Sequence, residues 1–191
     1  ETKKEKPKPS AKSLWRFRVA YEKAVARLDL AELEGFAKSL GLSADSLQRL
    51  GIGRDDHPKW HWVLPMFDQH GELVGLRRRD SVGNKRSYTR SMSGLHLDRS
   101  IFGSQVDRLY LAEGPTDAAA LLMLGFDAVG RPSCDGSAEI IVGLVRRCQP
   151  GEVVVVADDD EPGRRGAAKL ARKLVMWAPT RILIPPGGDV R

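Results

Sequence analysis

The sequence predicts an α/β chain: a parallel sheet flanked by helices, preceded by a smaller basic α+β subdomain of helices and a β-hairpin. Two patterns predict it. From about residue 107, short apolar runs alternate with helical patterns, which is the order of βαβ units. Before that, helical periodicity gives way near Lys59 to alternation at every second residue, as in antiparallel strands. A chain of 191 residues with 41% hydrophobic side chains can bury a core, so wholesale disorder is excluded. The longest apolar stretch, 118–126, is far too short for a membrane span.

The elements are expected in this order. Residues 1–13 hold five Lys and two Glu and few apolar side chains, so they read as a flexible basic tail. Ser13 is placed to cap a first helix carrying Leu14, Phe17, Val19, Tyr21, Val25 and Leu28. A second helix spans 30–40 and stops at Gly41. A short third one spans 43–50, before Gly51 and Gly53. KWHWVLPMFD and ELVGLRRRD then alternate apolar and polar residues around Gln69-His70-Gly71, as a hairpin does, and 84–88 adds a strand after Ser81-Val82-Gly83. Trp60 and Trp62 are read as core or as packed on the helical lead-in. These parts form the subdomain 14–106. In the domain 107–191 the strands are LYLAEG, DAVGR, VVVVADD and RILIP, with helices at 116–124, 137–148 and 163–177 between them.

In an open parallel sheet, ligands gather at the carboxyl ends of the strands. LYLAEG puts Glu113 there, with Gly114 for the turn, Pro115 opening a helix and Asp117 in its first turn. VVVVADDDEPG puts Asp158, Asp159 and Asp160 at the end of the most apolar strand, and alternation lets Asp158 and Asp160 point the same way. Asp189 follows RILIPPGG. A single acid in a first helical turn often only complements the helix dipole. Three strands ending in carboxylates need a cation between them, and Mg²⁺ or Mn²⁺ suits such oxygens. Two such ions can clamp the attacking and leaving oxygens of a phosphoryl transfer.

The positive charge lies elsewhere. Residues 72–100 carry seven basic and three acidic side chains, whereas 101–191 carry eleven basic and twelve acidic. Arg77, Arg79, Lys85, Arg86 and Arg90, with Tyr88 among them, suit the phosphates and bases of a single strand. On a strand, Arg77 and Arg79 share a face and Arg78 takes the other. Arg164 and Arg165 follow the acidic run and could reach phosphates. Only Cys134 and Cys148 occur, without CxxC spacing, so no disulfide framework and no zinc site is expected. There is no GxxxxGK[ST] and no GxGxxG.

EGPTD at 113–117, DDDEPG at 158–163 and the Pro186-Gly187-Gly188-Asp189 turn resemble the Toprim domain of bacterial-type primases, topoisomerases, nucleases and recombination mediators. Gly130 falls where that family often has a glycine. Pro65, Asp68, Gly71, Gly75, Arg79, Lys85 and Gly103 resemble the half that precedes Toprim in the catalytic core of bacterial and phage-type DNA primases and primase-helicases. The resemblance implies a Toprim-type, Rossmann-like sheet and synthesis of short RNA primers on single-stranded DNA from ribonucleoside triphosphates. It implies Glu113, Asp158 and Asp160 as catalytic metal ligands, Asp117 and Asp189 as support, and Arg77, Arg79, Lys85, Arg86, Arg90 and Arg164 as contacts to template or triphosphate. It also implies a replicative helicase, fused or separate, as partner, and a cytoplasmic setting of bacterial, phage or plasmid replication, with no membrane. The primase pattern usually includes a zinc ribbon upstream; none is visible here. A chain running from Glu1 to just past Asp189 reads as a piece of something longer.

Two rival readings use the same residues. A metal-dependent nuclease needs the same acids. A non-catalytic DNA-binding or helicase-associated module would keep the fold without the chemistry. A topoisomerase is disfavoured, because its tyrosine nucleophile needs a large separate domain.

Overall fold

The computed structural model describes residues 10–132 and 137–186. Its first helix, α1 (Ala11–Ala26), is capped by Ser10, whose hydroxyl oxygen accepts from the Ser13 N–H. The cap therefore lies three residues before the expected Ser13, which is buried inside the first turn. Ala11 and Lys12 are good helix formers, and Ser10 supplies the oxygen that the orphan amides need. α2 (Leu30–Ser39) and α3 (Ala44–Arg49) start at Asp29 and Ser43, each accepting an N–H of the first turn through its side chain.

The first sheet is antiparallel, in the order β1 (Gly53–Arg54), β2 (Trp62–Phe67), β3 (Leu73–Arg79) and β4 (Lys85–Ser87). Alternation was the expectation for β2, but all of its residues are buried. Both of its faces are covered. Phe17 and Ala24 of α1 meet Val63 and Leu76 on one side. Leu33 of α2 and Leu47 of α3 join the cluster of Trp62 and Leu64 on the other, where Trp62 stacks on Phe36 at 4.4 Å. Trp60 is buried as well.

The second sheet comprises β5 (His96–Leu97), β6 (Arg108–Ala112), β7 (Asp127–Gly130), β8 (Glu152–Val156) and β9 (Thr180–Leu183), in the order β5-β7-β6-β8-β9. β6 to β9 pair in parallel, as expected, and β5 runs antiparallel to β7. β5 precedes residue 106 yet joins this sheet. The crossovers are α4 (Pro115–Met123), α5 (Ala138–Cys148) and α6 (Glu161–Leu174). α4 packs on one face of the sheet, in the same apolar cluster as α2 and α3. α5 and α6 pack on the other. No helix among the described residues is long and apolar enough to cross a membrane.

Candidate active site and basic surfaces

The parallel register assembles the acidic site. Ala112 of β6 sits beside Gly130 of β7, and Leu111 sits beside Val155 of β8. Glu113, Arg131 and the run Asp158–Asp160 therefore leave the sheet at one carboxyl edge. Gly114 has φ 139, a conformation only glycine adopts without strain, and Pro115 starts α4. A Cβ on Gly163 would lie 2.8 Å from the Asp158 carbonyl, so α6 can begin close against the acids only with glycine there.

Within this edge each acid is held differently. Arg131 Nη2 donates to Glu113 Oε1 at 3.0 Å; the arginine is 1% exposed and the glutamate 14%. Burial pushes the Glu113 carboxyl above its ordinary range, Arg131 pulls it down, and the negative charges of Asp158 and Asp160 push it up again. Those three acids thus share one electrostatic field. Asp160 Oδ1 accepts from the Gly163 N–H at 2.6 Å and caps α6. Asp117 is buried, and a Cβ on Gly114 would lie 3.6 Å from its Oδ2. Arg164, expected at phosphates, pairs with Asp159. Asp189 lies outside the described residues, as does Cys134.

Among the described residues no three His, Cys, Asp or Glu side chains stand arranged to grip a metal ion. Glu113 is engaged by Arg131, and Asp160 by the amide of α6. The donor set nonetheless fits a hard divalent cation: it is all carboxylate oxygen and mutually repelling, with Glu113 and Asp158 half-buried and Asp160 exposed.

The basic residues divide between two faces of the first sheet. β3 and β4 pair Arg77 with Ser87, Arg78 with Arg86 and Arg79 with Lys85. Arg77, Arg79 and Lys85, with Arg78, line a narrow and otherwise apolar gap with Phe36, Leu40, Leu47, Ile52, Leu64, Pro115 and Thr116, next to the turn that follows Glu113. Arg77 Nη1 donates to the Pro132 carbonyl at 3.4 Å. Arg86 and Arg90 line the opposite side, a hollow of about 600 Å³ shared with Arg16 and Phe17 of α1 and with Trp60, Arg78 and Tyr88. Tyr88 was expected as a free stacking platform. Instead the Arg78 guanidinium covers it at 4.0 Å, and its hydroxyl donates to Asp55 at 3.1 Å.

Three residues of these sites escaped the sequence reading. Arg131 directly follows a strand, as the acids do, and the same strand-end rule finds it. Arg16 looks like ordinary helix-surface charge. Asp55, 5% exposed and accepting from Arg78 Nε at 2.6 Å, carries no local signal.

No family model matches the chain, and no curated protein matches it in sequence. Solved structures do match in fold. The DnaG catalytic core superposes with a TM-score of 0.67 at 18% identity, over 93% of this chain and 72% of that one. A DNA primase domain from Pseudomonas aeruginosa gives 0.67 at 18%, over 93% and 73%. The primase fragment of the bacteriophage T7 primase-helicase gives 0.60 at 18%, over 80% of this chain and 65% of that fragment. The chain has the fold of the DnaG-type primase catalytic core.

Proposed function

We propose that the chain is the catalytic-core portion of a DNA primase, making short RNA primers on single-stranded DNA. The observation that carries this reading is one juxtaposition within that fold. Glu113, Asp158 and Asp160 share the carboxyl edge of the sheet, and Arg77, Arg79 and Lys85 line a gap against Pro115 and Thr116 at the start of α4 beside it. Mg²⁺ or Mn²⁺ would be held by Glu113, Asp158 and Asp160, with Asp117 and Asp189 in support. When bound, it supplies Lewis-acid stabilisation of charge at the transferring phosphate.

The chain's own side chains do the rest. Arg77, Arg79 and Lys85 bind the triphosphate and hold its charge close to the acids. Arg86 and Arg90, on the opposite face with Arg16, take the template phosphates. The reaction joins a primer 3′-oxygen to the α-phosphorus of the incoming nucleotide, and pyrophosphate leaves. Asp159 holds Arg164 at the start of α6, so Arg164 acts on phosphates only if that pair opens. A replicative helicase is the expected partner; the T7 neighbour is itself part of a primase-helicase protein. The setting is the cytoplasm of a bacterial, phage or plasmid replication system.

The test is primer synthesis on single-stranded DNA with ribonucleoside triphosphates and Mg²⁺. Asp158→Ala and Asp160→Ala should reduce it to background while circular dichroism shows the fold intact. Normal synthesis by either folded variant refutes the assignment. Strand cutting without nucleotides, lost in the same variants, would make the acids those of a nuclease.

A further inference from the structure

Arg131 sits where an entering cation would have to work. Its Nη2 donates to Glu113 Oε1 at 3.0 Å, and the side chain is 1% exposed. The backbone sets this pairing. β7 lies beside β6 with Gly130 opposite Ala112, so the next residue of each strand becomes a neighbour of the other. The Arg131 N–H also donates to the Ala112 carbonyl at 2.8 Å, which anchors the root of the side chain. A guanidinium does not deprotonate, so a buried arginine keeps its charge and needs a carboxylate beside it. Glu113 answers that need, and it is also the acid on which the charges of Asp158 and Asp160 act. One carboxylate therefore serves two positive claims: the arginine present in the fold and any ion drawn to the three acids.

We propose that Arg131 is an internal counter-ion of the acidic site, a positioning residue that competes with the divalent cation for Glu113 and weakens its binding. This rests on reading the three acids as an ion site. It adds that the site is held partly neutralised by the protein itself, and that the pair must loosen for Glu113 to take part.

The experiment titrates the whole chain with Mn²⁺ and follows free ion by electron paramagnetic resonance, beside Arg131→Gln and Arg131→Lys. Glutamine keeps a donor but removes the charge, and lysine keeps the charge. Arg131→Gln should bind Mn²⁺ about tenfold more tightly while Arg131→Lys stays within about threefold of the unaltered chain, the scale on which supporting residues tune a metal site. A folded Arg131→Gln that binds no tighter overturns the proposal. So does an Arg131→Lys that gains as much as Arg131→Gln, because then charge is not the cause.

Removing a buried partner can also unfold the chain, so a second measurement uses the unaltered protein. The Arg131 Nε–Hε resonance, identified by its loss in Arg131→Lys, should shift on Mg²⁺ addition with the midpoint of ion binding. No shift through saturation overturns the competition. If neither the unaltered chain nor Arg131→Gln binds Mn²⁺, the ion site itself is wrong and this inference falls with it. Binding without a gain in Arg131→Gln sinks the competition alone.

Discussion

The backbone of Gly114 crosses Gly130 so closely that a Cβ on Gly130 would lie 2.5 Å from the Gly114 carbonyl oxygen. The same atom would be 3.1 Å from Pro115 N, so the turn that presents Glu113 rests directly on the end of β7. Backbone cannot step aside as a flexible side chain can. Gly130→Ala should therefore push the Glu113 turn off the sheet and cost about 1–3 kcal/mol, as overpacking does. Urea unfolding measures the loss, and a lower midpoint with an unchanged slope is expected. An alanine variant as stable as the unaltered chain would show that the turn and β7 are less tightly apposed.

Asp160 has two tasks that a pair of substitutions separates. Its carboxylate caps α6 through the Gly163 N–H, and its charge is part of the field on Glu113. Asn caps nearly as well as Asp, whereas Ala caps poorly; Asp160→Ala should lose about 1 kcal/mol and Asp160→Asn only a few tenths. Both should lose primer synthesis. Thermal unfolding beside the priming assay checks this. An active, stable Asp160→Asn would mean that only the cap matters.

These two cases show what the sequence reveals and what it hides. Glu113, Asp158 and Asp160 were legible because a strand, a turn glycine, a proline and a helix follow one another along the chain, and that local order places the acids at a strand end. α2 and α3 were legible through local stops, Gly41 for the one and Gly51 with Gly53 for the other, whereas their caps Asp29 and Ser43 came only with the structure. The strand β5 was not. His96 and Leu97 are too short a run to show a period, and their partners Gly130 and Val129 lie more than thirty residues on. Burial of both faces of β2 was also hidden, because it depends on α1 and on α2 with α3 arriving from opposite sides. Tyr88 failed as a free platform because its cover comes from Arg78 on the neighbouring strand, and its hydrogen bond from Asp55, far upstream.

The two basic faces should separate in binding experiments. Arg86→Ala with Arg90→Ala should weaken single-stranded DNA binding and make its dependence on salt shallower, by about 0.7 in the log–log slope for each phosphate no longer neutralised. Arg77→Ala, beside Pro132 and the acid edge, should instead raise the KM for nucleotide and leave that slope nearly unchanged. Fluorescence anisotropy across a salt series reads the first effect and steady-state priming reads the second. Equal effects of both variants on the slope would place one strand across both faces.

His96 should make the fold sensitive to acid. It is fully buried; its Nδ1–H donates to the Pro65 carbonyl at 2.9 Å, and its Nε2 has no hydrogen-bond partner among the described residues. Burial, aided by the charge of Arg77, pulls its pKa from 6.5 down to about 3. The folded chain therefore refuses a proton that the unfolded chain accepts. The sign follows: this contribution is whole above 6.5 and is lost as the pH falls from there toward about 3. Within that window the slope is about 1.4 kcal/mol per pH unit for one proton. His96→Asn removes the titration while keeping a donor for Pro65, so its stability should fall less steeply on acidification, whatever its stability at neutral pH. Urea titrations of both chains at several pH values supply the comparison. Parallel decline would mean that His96 accepts its proton inside the fold.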